Sequence, residues 1–388
     1  MFPIKSTGNK NKKVVVGLSG GVDSAVALAL LVESGFDVIG VFMKNWSGEN
    51  YGIQKNCPWE QDQEDAQKVC NIFSVPFLSW NFEKEYREKV IQYFYSEYGK
   101  GRTPNPDVVC NKEIKFKLFL EKALTTGANY VATGHYARKE NTSNLNLTDS
   151  NCLYKGVDKN KDQSYFLHAL NSVQLSKSLF PIGHLTKQEV RKIAKSYNLP
   201  VADKKDSQGI CFVGKVNLFK FLEQRIPCKY GDIIDEDTNK KVGEHKGVFF
   251  YTIGQRSGLN IGGSDIPYYV SRKDIHTNTL FVVKGHNNIK LFKKRIKLEN
   301  LHVINKHALN LILNNEGLSA SIRYRQSPTP VKIHIKYKES YMSNDDSFDF
   351  NNEADIFLDF CIEQRGVASG QSVVIYFNDL CLGGGVIA

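Results

Sequence analysis

The 388-residue sequence has no apolar run that approaches the ~18 residues needed to span a bilayer. The longest apolar run near the start, Ala25–Val32, has eight residues and follows a glycine-rich loop, unlike the core of a signal peptide. Residues 1–13 carry four lysines but no arginine, and they are too few for a transit peptide. These absences predict a cytoplasmic protein without a membrane partner.

None of the eight cysteines belongs to a C-x-x-C pair, which leaves zinc-finger and iron–sulfur sites of that type without support. Structural disulfides are not expected either, because no secretory signal directs the chain to an oxidising compartment. Any cysteine chemistry is therefore expected to be catalytic and transient.

The composition is that of a folded protein, with 41% hydrophobic and 24% charged residues. At about 150 residues per domain the length predicts two to three domains. Lys+Arg number 51 and Asp+Glu 41, so the formal charge is +10, which favours a polyanionic partner such as a nucleic acid. A composition biased towards lysine and asparagine explains the charge equally well.

The first two hundred residues alternate β-rich apolar runs with amphipathic stretches, which predicts an α/β domain built on a doubly wound parallel sheet. Residues 229–263 are glycine-rich, and the chain after them consists of short strand-like runs, typical of a β-barrel. We expect an α/β domain at 1–215, a small central linking domain at 216–283 and a C-terminal β-barrel at 284–388.

One loop between a predicted strand and a predicted helix has the composition of a phosphate-binding loop. It consists of Gly17, Leu18, Ser19, Gly20, Gly21, Val22, Asp23 and Ser24. Its backbone N–H groups and serine hydroxyls suit a phosphate chain at a helix N-terminus, and Asp23 is a candidate Mg²⁺ ligand. An ordinary glycine-rich turn is the alternative. The loop lacks the lysine of G-x-x-x-x-G-K-[ST], so transfer of a γ-phosphate is not indicated.

This loop resembles that of the PP-loop ATP pyrophosphatases, which cleave ATP between the α and β phosphates and adenylylate an oxygen of their substrate. The resemblance implies that Met43 contacts the adenine and that Gly134 contacts the nucleotide. Considered alone, Met43 is more simply a core residue.

Two cysteines lie in unusual loops. Cys110 ends the proline-stiffened segment that starts at Thr103, just before a predicted helix and near Lys112. A cysteine near a helix N-terminus and a lysine is expected to have a lowered pKa and more thiolate. Cys211 lies in a second glycine-flanked loop, whereas Cys70, Cys361 and Cys381 are typical of small buried hydrophobes.

Six segments in this order resemble the family of tRNA-specific 2-thiouridylases, with no departure at any motif position. They are residues 103–112, 132–136, 161–163, 207–212, 254–256 and 381–385. The resemblance implies a tRNA-uridine 2-sulfurtransferase that uses ATP and Mg²⁺ to thiolate uridine 34 of tRNA-Lys, tRNA-Glu and tRNA-Gln. It makes residues 1–215 the ATP pyrophosphatase domain and residues 284–388 the tRNA-binding barrel.

The same resemblance assigns roles to the two cysteines. ATP adenylylates the 2-oxygen of uracil, Cys211 carries the persulfide, and Cys110 is the nucleophile that resolves it, leaving a transient Cys110–Cys211 disulfide. The sulfur comes from an upstream persulfide donor, a cysteine desulfurase or a relay protein. From the residues alone, the order of the two cysteines is not determined.

The resemblance also implies contacts with the tRNA. The implied residues are Asn105, Pro106, Asp107, His135, Lys161, Asp162, Gln163, Arg323, Tyr324 and Gln371. We expect Arg323 and Tyr324 to lie side by side on a strand, where they suit unpaired bases and phosphates. Without the motif, His135 is better interpreted as a hydrogen-bonded histidine at a strand end.

Two other functions remain open from the residues. One is a different PP-loop ligase that adenylylates a small molecule, although this function gives no reason for two loop cysteines. The other is a noncatalytic RNA-binding protein, which the intact phosphate loop argues against.

Overall fold

The computed structural model describes residues 9, 11–47, 59–141, 151–205, 217–337 and 354–388. Cys211, the predicted persulfide carrier, lies outside the described residues. So do most residues of two polar segments rich in asparagine and serine, 141–151 and 340–355.

The N-terminal domain is an α/β domain whose sheet has five parallel strands among the described residues, in the order β3-β2-β1-β4-β7. Its elements are β1 (Lys13–Leu18), α1 (Val22–Glu33), β2 (Asp37–Lys44), α2 (Trp59–Ile72), β3 (Phe77–Asn81), α3 (Glu83–Tyr86), α4 (Gln92–Gly99), α5 (Pro106–Val109), α6 (Phe119–Thr125), β4 (Tyr130–Thr133), β5 (Ala137–Asn141), β6 (Asn151–Lys155), α7 (Ser164–Leu167), α8 (Ser172–Ser176), β7 (Ser178–Leu179) and α9 (Lys187–Ser196).

The core of this domain lies on both faces of the sheet. Val14, Val15 and Val16 of β1 are completely buried, as expected for a central parallel strand covered on both sides. Most of α1 is also buried, because its sequence is apolar nearly all round. The phosphate loop predicted at residues 17–24 therefore joins two rigid, buried elements.

Wide π-helical turns interrupt two helices of this domain. Arg87–Ile91 joins α3 to α4, and Cys110–Leu118 joins α5 to α6. Such turns are rare and occur frequently at functional sites. Cys110 is the first residue of the second π-helical segment.

The central domain contains a four-stranded sheet in the order β10-β11-β8-β9. Its elements are α10 (Leu218–Glu223), β8 (Gly231–Asp235), β9 (Lys240–His245), β10 (Tyr268–Asp274) and β11 (Thr279–Lys284). Ile233, Val270 and Leu280 are fully buried at its core.

The C-terminal domain is a closed barrel of six antiparallel strands, in which β12 pairs with both β15 and β17. Its elements are β12 (Phe292–Val303), α11 (Lys306–Asn314), β13 (Leu318–Ser321), β14 (Thr329–Tyr337), β15 (Ala354–Arg365), β16 (Ser372–Phe377) and β17 (Leu380–Ile387). The predicted fold class, a parallel α/β sheet followed by a small domain and a β-barrel, is confirmed.

A hairpin from the first domain joins the barrel directly. Strand β6 pairs with β17, with Leu153 opposite Cys381, so that β5 and β6 extend the barrel sheet. Both residues are buried, which makes this junction part of the core.

Two strands end before residues that are predicted to contact tRNA. Strand β4 ends at Thr133, before His135, and strand β13 ends at Ser321, before Arg323. Arg323 and Tyr324 therefore lie in a turn, and the prediction of a strand there is wrong, because Arg325 takes a left-handed conformation (φ 65°) that reverses the chain. No helix among the described residues is long and apolar enough to cross a membrane.

A capping box forms the start of α9. The Thr186 hydroxyl accepts from the Glu189 N–H at 3.3 Å, and the Glu189 carboxylate accepts from the Thr186 N–H at 2.7 Å. These bonds fix the first turn of α9, which begins with Lys187.

Replacing Thr186 by Ala is therefore expected to lower the free energy of unfolding by about 0.5–2 kcal/mol, the usual cost of a lost N-cap. Thermal and urea unfolding measure this loss. The control is Thr125→Ala, whose hydroxyl donates to the Lys122 carbonyl and caps no helix start. If Thr186→Ala and Thr125→Ala have the same free energy of unfolding, the capping box does not stabilise the protein as expected.

Candidate active site

The phosphate loop lies between β1 and α1 at the carboxyl end of the sheet. Gly21 is the N-cap of α1, and no side chain there caps the helix. The N–H groups of the first turn are thus in the arrangement that binds anions at a helix start. The Ser24 hydroxyl accepts from the Ser19 N–H and donates to the Gly21 carbonyl, both at 3.2 Å, which closes the loop on itself.

Two glycines allow the backbone to approach the loop closely. A Cβ on Gly134, just after β4, would lie 2.6 Å from the Ser24 nitrogen and 2.7 Å from the Asp23 carbonyl carbon. A Cβ on Gly20 would lie 2.4 Å from the Asp62 carbonyl oxygen, and Gly20 has a φ of +69°. Only glycine fits at either position without moving the backbone.

Asp23 is half-buried and already engaged. Its carboxylate accepts from the Lys187 ammonium at 2.7 and 2.9 Å and from the Tyr136 hydroxyl at 2.7 Å. Magnesium is commonly held by one or two carboxylates together with substrate phosphates. Asp23 supplies one carboxylate, which would exchange its contact with Lys187 for the ion, so its role as a metal ligand stays a prediction. Among the described residues, no three acidic, histidine or cysteine side chains form a metal-binding group.

The predicted adenine contact, Met43, is buried near the end of β2. Its Cε lies 3.1 Å from where a Cβ on Gly17 would be, which places this side chain beside the start of the phosphate loop. Leu18 and Val22 are also buried and contribute to the core, whereas Ser19 is exposed.

Cys110 is completely buried in the second turn of its helix. The prediction that the helix begins only after the proline-stiffened segment is wrong, because Asn105 is the N-cap and Pro106 starts the helix four residues before Cys110. The effect of the helix dipole falls off within the first turn, so it acts only weakly on Cys110. Asp107, which the sequence assigns to the target base, occupies that first turn instead.

Two buried amides, those of Asn45 and Asn111, have atoms without a hydrogen-bond partner among the residues that the structure describes. Neither polar atom of the Asn45 side chain is paired, and Asn45 directly follows β2. Asn111, next to Cys110, donates to the Phe166 carbonyl at 3.1 Å but leaves its Oδ1 unpaired. Buried polar atoms are nearly always paired in native proteins, so both amides are candidates to bind a ligand. A lone asparagine in a sequence carries no signal of this kind.

The loop before Cys110, here called the proline loop (residues 103–107), is held by the other two domains. The Gln371 side chain donates to the carbonyls of Thr103 (2.9 Å) and Pro104 (3.2 Å), and the Thr103 N–H donates to the Ser369 carbonyl at 2.8 Å. The hydroxyls of Thr103 and Thr252 lie 3.2 Å apart. The barrel and the central domain thus both position this loop.

Most of the residues that the sequence assigns to tRNA converge around the proline loop. Asn105 is hydrogen-bonded to Tyr165, whose hydroxyl donates to the Ser372 carbonyl of the barrel. The ring centroids of Phe166 and Tyr324 are 4.4 Å apart. We call the proline loop together with residues 161–166, 323–324 and 369–371 the junction cluster.

Residues 161–163 connect this cluster to the end of β4. Gln163 exchanges two hydrogen bonds with the backbone of Tyr136, at 2.8 and 3.0 Å. Asp162 accepts from Gly156 and Ser164, although burial raises its pKa overall. Lys161 lies close enough to Tyr324 to affect its titration. Asp162 and Gln163 thus have clear structural contacts in addition to their predicted role.

His135 is buried at the end of β4, with 7% of its surface exposed. Its Nδ1 lies 2.7 Å from the Thr133 hydroxyl, and burial lowers its pKa well below the ordinary value. This environment is that of a satisfied neutral histidine, while its predicted contact with tRNA is untested.

Arg323 lies at the edge of the junction cluster. Its guanidinium donates to the carbonyls of Arg365 and Gly366, and Gly366 in turn contacts Gly254 of the central domain. The arginine thus lies where the barrel and the central domain meet.

Three consecutive family profiles match the chain. They are described as the tRNA methyl transferase HUP domain (residues 12–215), the tRNA methyl transferase PRC-barrel domain (219–284) and the aminomethyltransferase beta-barrel domain (293–387). The first alone covers more than half of the chain.

Curated relatives are similar over almost the whole chain. A protein of Oceanobacillus iheyensis named tRNA-specific 2-thiouridylase MnmA is 44% identical over 380 residues, which cover 98% of this chain and 95% of that protein. A protein of the same name from Bacillus licheniformis is 47% identical over 381 residues, with 97% and 95% coverage. A 4-thiouridine synthetase–RNA complex with bound ATP is 20% identical and covers 56% of this chain and 50% of that chain. Its TM-score of 0.32 is too low to support any inference.

The close approach at Gly134 gives a direct test of the phosphate loop. Gly134→Ala places a methyl group against the backbone of Asp23 and Ser24, so the loop must shift, and we expect the affinity for ATP to fall about tenfold or more. Calorimetric titration with ATP measures this change. Gly99→Ala is the control, since a Cβ there meets nothing within 4 Å. Unchanged ATP affinity in Gly134→Ala would show that nucleotide binds elsewhere.

Proposed function

Since the chain belongs to the family of tRNA-specific 2-thiouridylases, we propose that it is a tRNA sulfurtransferase that replaces the 2-oxygen of the wobble uridine by sulfur. The near full-length similarity to proteins of that name carries the proposal. The geometry adds an anion-binding loop and a buried cysteine, with a cluster of predicted tRNA contacts around the loop that precedes this cysteine. The isoacceptors that we propose are those for Lys, Glu and Gln.

The phosphate loop supports activation of the uridine by ATP. The uracil 2-oxygen is a poor leaving group, and transfer of AMP to it, with release of pyrophosphate, makes AMP the leaving group. The uncapped start of α1 suits the phosphate chain. Mg²⁺, with Asp23 as its candidate ligand, would neutralise phosphate charge when bound. Lys187 lies against Asp23 and brings a second positive charge to the same place.

We propose that sulfur is delivered by the two loop cysteines. The terminal sulfur of a Cys211 persulfide attacks C2, and the C–O bond to AMP breaks. The Cys110 thiolate then attacks the Cys211 sulfur, which releases the thiocarbonyl and leaves a Cys110–Cys211 disulfide. The transferred sulfur is thereby reduced and the two thiols are oxidised, so an external thiol must reduce the disulfide before the next turnover. An upstream persulfide donor reloads Cys211.

Three other cysteines with a described thiol, Cys70, Cys228 and Cys381, lie outside the proline loop and the junction cluster. Burial raises the pKa of Cys70 to about 12 and that of Cys381 to about 12, which keeps both thiols protonated. Cys228 is exposed, but burial and the neighbouring Glu223 raise its pKa as well. These residues serve as controls.

The junction cluster is the proposed site of the anticodon loop. A base must leave its stack before an enzyme can modify it. Aromatic residues such as Tyr324 and Phe166 stack well on unpaired bases, and an arginine such as Arg323 is suited to bond phosphates. Asn105 belongs to the proline loop, which precedes Cys110, and Gln371 bonds the backbone of that loop. A base bound in the junction cluster would therefore lie close to the reactive cysteine.

Mass spectrometry of nucleosides from tRNA incubated with the protein, ATP, Mg²⁺ and a persulfide donor tests the function. Appearance of 2-thiouridine supports the proposal. A methylated uridine would support the reaction named in the family description instead. ATP turnover on a small molecule without tRNA would support the ligase, and binding of tRNA without pyrophosphate release would support the noncatalytic RNA-binding protein.

Variants of the two cysteines separate activation from sulfur delivery. Cys211→Ala should abolish 2-thiouridine and persulfide loading but retain tRNA-dependent pyrophosphate release, because activation needs no sulfur. Cys110→Ala should also lose thiolation yet still load sulfur on Cys211. Cys70→Ala and Cys381→Ala should keep thiolation, apart from any loss through packing. Thiolation by Cys211→Ala would disprove the mechanism. Complete loss of pyrophosphate release in both folded catalytic variants would show that the two steps are not separable.

The junction cluster gives a second test. Replacing Arg323 and Tyr324 together by Ala should weaken tRNA binding and leave ATP binding intact. Binding should also depend on salt, with the slope of log K against log salt growing by roughly 0.7–0.9 per phosphate neutralised. The matched control replaces Lys336 and Tyr337, an exposed cation–tyrosine pair on β14. Full tRNA affinity in the Arg323/Tyr324 variant, or binding insensitive to salt, would refute the assignment.

A further inference from the structure

One lysine outside the predicted site bridges three separate segments. The Lys204 ammonium donates to the Gly20 carbonyl of the phosphate loop at 2.9 Å, to Asp62 at 2.7 Å and to Asp65 at 2.6 Å. Asp62 and Asp65 belong to α2, and Lys204 lies seven residues before Cys211 in the chain. This set of contacts, called here the Lys204 anchor, plays no part in the chemistry described above.

All three N–H donors of the ammonium are used by these three acceptors. The donors are therefore committed to the protein and do not bind a phosphate directly. Burial lowers the pKa of Lys204, but the bonds to Asp62 and Asp65 raise it overall. Burial raises the pKa of Asp65, and the bonds from Lys204 and Gln61 lower it overall. The anchor is thus a charged, saturated network.

The anchor is rigid on both sides. Gly20 packs directly on the Asp62 backbone, so that the loop and α2 meet without an intervening side chain. Arg191 of α9 donates to the carbonyls of Ala202 (2.7 Å) and Lys204 (3.0 Å), which fixes the chain around the lysine. The same helix α9 begins with Lys187, the partner of Asp23. Both sides of the phosphate loop are therefore tied to α9.

We propose that Lys204 is a positioning residue that holds the phosphate loop in its ATP-binding form and, by the same contacts, fixes residues 202–205, where the described chain before Cys211 ends. The proposal rests on the proposed function. Seven residues of chain span at most about 25 Å, so an anchor between Lys204 and Gly20 limits how far the backbone at Cys211 can lie from the phosphate loop. A tethered thiol has a higher effective concentration at the activated base than an untethered one.

Replacing Lys204 by Met should raise the KM for ATP in pyrophosphate release by about tenfold, with a smaller effect on kcat, because the loop is no longer pre-organised. The amount of 2-thiouridine formed per pyrophosphate released should fall as well, since activated uridine then hydrolyses before sulfur arrives. A purely structural role would lower the active fraction, which changes kcat but neither KM nor this ratio.

Lys241 is the matched control. Its ammonium also bridges two carboxylates, those of Asp232 (2.7 Å) and Glu244 (2.8 Å), but in the central domain. Lys241→Met should leave KM and the ratio unchanged. Lys204→Arg keeps the charge and should recover part of the lost ATP affinity. Asp65→Asn leaves the lysine in place and tests the anchor if Lys204→Met does not fold. We expect this variant to raise the KM for ATP about threefold.

Two outcomes would overturn the anchor: a KM and a product ratio in folded Lys204→Met that stay within twofold of the wild type, or an equal change in Lys241→Met. Failure of the proposed function is distinguishable. If the wild type makes no 2-thiouridine, equilibrium dialysis with ATP still compares wild type, Lys204→Met and Lys241→Met. A loss of ATP affinity confined to Lys204→Met then supports the anchor of the phosphate loop, and equal affinities refute it.

Discussion

The arrangement of the site depends on the hydrogen bonds between the barrel and the proline loop. Gln371 and the Ser369 carbonyl bond the backbone of Thr103 and Pro104, and Asn105 immediately afterwards caps the helix that carries Cys110. A displacement of the barrel therefore moves the start of that helix. Strand β6 belongs to the first domain but pairs with β17 of the barrel, and this pairing fixes the position of the two domains relative to each other. The barrel is thus part of the active-site framework as well as a proposed surface for tRNA.

The other side of the site is built from close backbone contacts and from charged side chains. Gly134 and Gly20 let β4 and α2 touch the phosphate loop directly, at distances that exclude a Cβ. The charged groups around the loop, Lys187 with Asp23 and Lys204 with its two aspartates, then hold it from both sides. Because the loop is fixed before any nucleotide arrives, little conformational entropy remains to be lost on binding.

Features set by neighbours in sequence were predictable. The apolar β1, the phosphate loop before α1 and the capping box at Thr186 each follow from a local pattern, and the structure contains all three elements. Contacts between distant residues were not predictable. Asp23 and Lys187 are 164 residues apart, and Gln371 and Thr103 are 268 apart, so only the tertiary fold brings them together. The errors share one cause: the start of the Cys110 helix and the turn at Arg325 depend on caps and a left-handed residue that hydrophobic patterns do not reveal.

The burial of Cys110 bears on selectivity in the proposed reaction. A thiol that alternates between reduced and disulfide states is also a target for oxidants, and exposure increases that risk. Cys110 has no exposed surface, and Asn111 beside it keeps an unpaired acceptor atom. In the proposed reaction, the base reaches Cys110 only after it has left the stack of the anticodon loop. The unpaired Asn111 oxygen can accept a hydrogen bond from an N–H of such a base. A ligand without a donor leaves this oxygen unpaired, and its binding free energy is less favourable for that reason. In the proposed reaction, burial thus protects the Cys110 thiol from oxidants. Together with the junction cluster, it limits the reaction of this thiol to a base that has left its stack.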